Sequence, residues 1–439
     1  MNETASLNPW AEDYHERLYE IYRWYREHAP VHWEGEPLPS TQGSWYLFRY
    51  ADVNMVLKDP RFVREYSSVF PESAESTPEP DPTSSADQPP TQPPDTHPAG
   101  TDLQPTTHLA SQPLTFWDMA SRWMLFRDPP DHTRLRRLVN KAFTPRAVES
   151  VVPRVKDIAL ELLQPGLKDG GMDLIEAFAF PLPVIVIAEM LGVPPQDRTK
   201  FRSWSNAMAA ALDSYWTEEI FQRASQATGE IWEYLTHIIE ERRKNLGSDL
   251  LSALINAREN DDRLSEDELV AMAILLLVAG HETTVNLVGN GTLALLQHPD
   301  QMELLRREPR RAPQAVEELL RYDAPVQMTS RFAATNVPLG NHVIRKGDNV
   351  VAVIGAANRD PEVNPNPDRL DITRTEIHHL GFGGGIHYCV GAPLARREAQ
   401  IALTTLLAEA PSLRLACDKP TWRPGAVFRG LQSLPVKIG

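Results

Sequence analysis

The chain has 439 residues, 42% hydrophobic and 23% charged, an ordinary globular balance that is long enough to enclose a large ligand. A formal net charge of -15 argues against nucleic-acid binding by bulk electrostatics. Two cysteines, Cys389 and Cys417, rule out a disulfide framework and fit a reducing cytoplasm.

Residues 1–10 lack a basic region followed by an apolar run, so no signal peptide is expected. Helical spacing marks 14–28 and 51–58, with strand-like segments around His32 and at 46–49 between them. Residues 71–113 hold eleven prolines and seven Asp or Glu, with no Lys, Arg or aromatic residue. Such a segment cannot bury enough apolar surface to offset its ordering entropy, and is expected to be a disordered insertion. It either has no role or serves substrate access.

From Phe116 onward the pattern is mainly helical, at 131–142, 146–163, 183–191 and 218–244. Residues 265–296 form a long apolar helix that opens on a capping box, Ser265-Glu266-Asp267-Glu268. Its apolar run at 269–280 is too short to span a bilayer, so a soluble chain is expected. A helix at 313–322 stops before Pro325, residues 326–353 alternate like short strands around a turn at 346–348, and a last helix covers about 391–410. The expected fold is a single mainly α domain over 1–439 with a minor β portion.

The most informative stretch is Phe382-Gly383-Gly384-Gly385-Ile386-His387-Tyr388-Cys389-Val390-Gly391. Glycines let backbone approach a large planar ligand, and the helix start behind Cys389 favours a thiolate. An isolated cysteine is more often a buried structural residue. Here, however, the loop resembles the haem-binding signature of the cytochromes P450 at all six specified positions: Phe382, Gly383, Gly385, His387, Cys389 and Gly391. Cys417 has no such context and reads as structural or incidental.

The resemblance runs from Phe116 to the end of the chain. It implies the P450 fold, haem b, Cys389 as the iron ligand, and mono-oxygenation of a lipophilic small molecule by dioxygen. Eukaryotic members usually carry a membrane anchor, so its absence implies a cytoplasmic bacterial type. No flavin or iron–sulfur segment is seen, which implies electrons from a ferredoxin served by an NAD(P)H reductase. The family's acid–alcohol pair matches Glu282 and Thr283 in Ala279-Gly280-His281-Glu282-Thr283-Thr284, and implies proton delivery during dioxygen activation. Taken alone, these residues are ordinary helix detail, and Gly280 removes a side chain where a ligand presses on the helix.

Glu318 and Arg321 stand three apart on one helix face and would ordinarily make a weak surface bridge. The resemblance makes them, with Arg369, a buried triad supporting the cysteine loop. It assigns the haem propionates to His132, Arg136, Arg331 and His387. Pocket candidates are Leu276, Ala279, residues 326–329 beginning at Val326, and Phe428. Arg134, Arg136, Arg137, Arg396 and Arg397 form a basic cluster suited to an acidic electron carrier. A peroxide-using or non-oxygenating member, or a haem sensor, are the other classes considered. Retention of Glu282 and Thr283 argues against the first, and NAD(P)H-dependent turnover separates the second.

Overall fold

The computed structural model describes residues 7–11, 13–35, 43–69, 114–213, 217–258 and 262–438. The Pro-rich stretch at 71–113 lies outside the described residues.

Helices α1 (Tyr14–His28) and α2 (Tyr50–Lys58) bracket β1 (Val31–Glu34) and β2 (Ser44–Leu47), and β3 (Phe62–Val63) follows. After α3 (Phe116–Ala120) come α4 (Asp131–Ala142) and α5 (Pro145–Asp169). α5 outruns its expected end at Leu163 and continues through Pro165 until Gly170 takes a φ of 74°. β4 (Gly171–Asp173) leads to α6 (Pro181–Met190), α7 (Arg198–Leu212), α8 (Glu218–Lys244) and α9 (Leu250–Asn256). α7 was not expected from the sequence, yet Phe201, Trp204 and Met208 recur on it at helical spacing and are buried.

α10 (Glu266–Gln297) starts where the capping box places it, with Ser265 accepting from the Glu268 N–H. By length and composition it could cross a membrane. Most of its length is instead buried, against α6, α7, α8, α12 and α14, as the central helix of the core. α11 (Pro299–Arg307) and α12 (Ala312–Tyr322) precede β5 (Thr329–Ala333), β6 (Val337–Leu339), β7 (His342–Ile344) and β8 (Asn349–Ala352). α13 (Ile354–Asn358) and α14 (Ala392–Glu409) flank the cysteine loop. The chain then closes with β9 (Arg414–Leu415), β10 (Thr421–Trp422), β11 (Leu431–Ser433) and β12 (Pro435–Lys437).

The larger sheet has the order β1-β2-β8-β5-β3, with β2 and β8 parallel and the other pairs antiparallel. Its register sets Val63 opposite Phe332, so the next residue, Arg64, arrives beside Arg331. The four closing strands were not expected from the sequence. Each is two or three residues long, too short for an alternating pattern to register.

Candidate functional site

The cysteine loop folds on its own backbone: the Cys389 N–H donates to the Phe382 carbonyl at 2.9 Å, and the Tyr388 N–H to Gly385 at 3.2 Å. Gly383 and Gly385 take φ values of 72° and 63°, a region that side-chain-bearing residues rarely adopt. A Cβ on Gly385 would also stand 2.3 Å from the Leu57 carbonyl, so α2 backs the loop directly. Both cysteines are free thiols. Burial pushes the Cys389 thiol up, against the pull of the Gly391 and Ala392 N–H groups, Arg136 and Arg396. The side chain is nonetheless accessible and not part of the packed core.

α10 is buried on almost every side but opens at Ala279, with Gly280 and Thr283 partly accessible. With Leu276 these form one face at helical spacing. The Thr283 hydroxyl donates to the Ala279 carbonyl at 3.1 Å, and Thr284 to Gly280 at 3.1 Å. A Cβ on Gly280 would meet only Ile187, at an ordinary 3.7 Å, so no protein contact requires glycine there.

Glu282 points away from that face. Its Oε1 receives Arg423 at 2.5 Å and Asn286 at 3.4 Å. Burial would raise its carboxyl, but Arg423 and these hydrogen bonds hold it below the usual range, so it is ionised. Arg423 is partly exposed and stands just beyond β10, so it reaches from the surface to the buried acid. Sequence reasoning missed it, because nothing near Trp422-Arg423 marks a partner 141 positions away in α10. Val326 and Phe428 meet through an isolated antiparallel bridge, which joins two pocket candidates. Asp213, just past α7, accepts from the Ala426, Val427 and Phe428 N–H groups at 2.9, 3.3 and 3.2 Å.

His132 and His387 stand with ring centroids 4.4 Å apart. Among the described residues, both nitrogens of His132 and Nε2 of His387 are buried without a partner. Burial, then Arg331, Arg64, His132 and Arg136, push His387 down to about 2. Arg331 is likewise pushed well down by burial and by Arg64. Arg64 is the second residue the sequence did not single out. Its Nη1 donates to Thr329 Oγ1 at 3.2 Å and to the Ser330 carbonyl at 2.9 Å, and its Nε to the Leu125 carbonyl at 3.0 Å. Arg136 is half-buried on the Cys389 side of the cluster.

Glu318 and Arg321 are fully buried and bidentate, at 2.7 and 2.9 Å. The third cation is not Arg369. Its side chain is exposed, and it contributes only its carbonyl, to Arg321 at 3.1 Å. Arg374 takes that position, 3.3 Å from the Glu318 carboxylate, because the chain turns between the two residues and returns Arg374 to α12. The basic cluster is also altered. Arg134 pairs with Glu268, Arg396 with Glu317 at 2.6 Å and Arg397 with Glu149 at 2.8 Å. Arg396 further lies over the Phe382 ring, 4.4 Å from its centroid.

A family model described as Cytochrome P450 matches residues 197–409. The chain is 39% identical over 440 residues to the polyketide biosynthesis cytochrome P450 PksS of Bacillus subtilis, covering 99% of each. The chain belongs to the cytochrome P450 family.

It is also 41% identical to a vitamin D(3) 25-hydroxylase of Pseudonocardia autotrophica, over 90% of this chain and 88% of that one. The crystal structure of P450BioI bound to an acyl carrier protein carrying hexadec-9Z-enoic acid superposes with a TM-score of 0.83 at 35% identity, over 97% and 99% of the two chains. The fold is that of the P450s and the protein is a P450 mono-oxygenase, a family that binds haem through a cysteine thiolate. The residues present fit that group. Buried cations and orphaned imidazole nitrogens call for carboxylates beside the loop, and Cys389 is an accessible thiol at its end.

Proposed function

We propose that this P450 binds haem b and hydroxylates or epoxidises a lipophilic small molecule in the cytoplasm. Its electrons come from a ferredoxin-type donor served by an NAD(P)H reductase. Cys389 supplies the thiolate, and His132, Arg136, Arg331, His387 and Arg64 take the two propionates. Bound there, the haem supplies the redox activation of dioxygen. Phe382, pinned under Arg396, and Gly391 behind the sulfur hold the loop to its shape.

The accessible α10 face carries the reading. Thr283 is the hydroxyl nearest that opening on the helix, and its bond to Ala279 fixes where its oxygen lies. Glu282, ionised and tied to Arg423, takes protons from the surface side. When the Arg423 contact opens, it hands them along the helix to Thr283. Leu276, Ala279, Val326 and Phe428 hold an apolar substrate and exclude water. Relatives named for polyketide biosynthesis and vitamin D(3) hydroxylation, and one bound to a fatty-acyl carrier protein, support a large apolar substrate.

The test starts from a spectral-shift screen of fatty acids, secosteroids and polyketides on the haem protein. With a ligand in hand, Thr283→Ala should slow product formation more than NAD(P)H consumption and release peroxide. Equal coupling in the two proteins would overturn the assignment.

A further inference from the structure

His281 lies in the same α10 motif, fully buried, and has no part in the relay described so far. Its Nδ1 stands 2.9 Å from Ser205 Oγ on α7 and 3.2 Å from the Leu277 carbonyl. A carbonyl oxygen only accepts, so Nδ1 carries the ring proton and Nε2 presents a lone pair. That Nε2 has no hydrogen-bond partner among the described residues. It faces Glu282 Oε2 at 3.8 Å, beyond direct hydrogen-bond reach. Two acceptors therefore confront each other across a buried gap, an arrangement that a proton placed between them satisfies.

The surroundings keep the pair poised. Arg423 and Asn286 occupy the other carboxylate oxygen of Glu282. The Phe180 ring stands edge-on to His281 at 5.8 Å, with Arg202 4.4 Å from the centre of that ring. Burial holds the imidazole below its ordinary basicity, against the pull of Glu282, so at rest it is neutral beside an ionised acid. Mono-oxygenation consumes two protons for each dioxygen: R–H + O2 + 2 e− + 2 H+ gives R–OH + H2O. A single carboxylate carries one proton at a time.

We propose that His281 is the second proton site of this relay, its Nε2 taking a proton from the Glu282 carboxyl group and returning it to the same oxygen. The Glu282 O–H bond breaks as the His281 N–H bond forms, and the return step reverses both. The inference rests on reading Glu282 and Thr283 as the relay, and His281 acts through Glu282 as a positioning residue.

The test uses the reduced, carbon-monoxide-bound haem protein labelled with 15N-histidine, the signal being assigned by its absence in His281→Phe. The expected Nε2 resonance is that of a bare imidazole nitrogen. It should move to a hydrogen-bonded value in Glu282→Gln, whose amide donates where the carboxylate accepted. An Nε2 already protonated at neutral pH, or one indifferent to Glu282→Gln, overturns the proposal. This holds even if Thr283→Ala still releases peroxide, in which case the relay reading stands without His281.

A second measurement follows dioxygen-dependent NAD(P)H consumption in H2O and D2O with a surrogate ferredoxin and reductase. His281→Phe should raise the solvent isotope effect about twofold. Ser205→Ala, which loses the tie to α7 but keeps the imidazole, should leave it at the wild-type value. Equal effects in both variants would mean that His281 only ties two helices, and the proposal fails.

Discussion

Arg64 and Arg331 donate to the same two acceptors, the Thr329 hydroxyl and the Ser330 carbonyl, at 3.2 and 2.9 Å from one and 3.3 and 2.7 Å from the other. Two buried guanidinium groups so close repel each other unless anions join them. The nearby Asp128 carboxylate is already taken by the Arg64 and Glu65 N–H groups.

Arg64→Leu should therefore weaken haem retention. A lost charge-assisted hydrogen bond is worth about 1.5–3 kcal/mol, or roughly tenfold and more in transfer of haem to a competing apoprotein. Arg64→Lys keeps the charge and should recover part of the loss. Unchanged retention in Arg64→Leu would show that Arg64 only braces β5.

Cys389→His should yield a haem protein without the red-shifted carbonyl band of a thiolate complex, because imidazole donates less charge to the metal. Persistence of the normal band would remove Cys389 as the ligand.

The ion-pair network separates two arginines that look alike in the sequence. Glu318→Ala or Arg321→Ala leaves a buried charge unpaired, at a cost of about 3–5 kcal/mol, and should give little haem-loaded protein. Arg374→Ala should also lower haem content. Arg369→Ala removes an exposed side chain and should stay within about 0.5 kcal/mol of wild type in thermal melts. The reverse order for Arg369 and Arg374 would mean that the carbonyl contact is not the part Arg369 plays.

Glu398 on α14 is buried, has one carboxyl oxygen without a partner among the described residues, and interacts with Thr284. Burial raises its carboxyl to about 8, against an ordinary value of 4.5. The folded protein therefore holds a proton that the unfolded chain releases between those values, and stability falls as pH rises through that window. The slope is at most about 1.4 kcal/mol per pH unit. Glu398→Gln should remove this component, so its advantage over wild type in chemical denaturation should grow from pH 5 to pH 8. A constant difference over that range would place the ionisation elsewhere.

What the sequence made legible follows from range. The limits of α1, α4 and α8 and the capping box of α10 are local properties, written in spacing and in residues three apart. The cysteine loop was legible because glycine, histidine and thiol positions are set by one short stretch of backbone. Arg64, Arg423 and Arg374 were not, since each acquires its partner only when distant strands or turns meet. A surface arginine and a buried one have the same letter. The acidic partners of the basic cluster were hidden for the same reason: Glu268, Glu317 and Glu149 come to it from other helices.

The three N–H groups that converge on Asp213 carry a consequence for how substrate choice can change. They fasten the end of α7 to the segment bearing Phe428, which is itself bridged to Val326. A shift of the backbone at Phe428 must drag the α7 terminus with it. With Phe428 lining the pocket as proposed above, admission and fit are geared together, and a substitution there is expected to alter how quickly molecules get in as well as which ones stay.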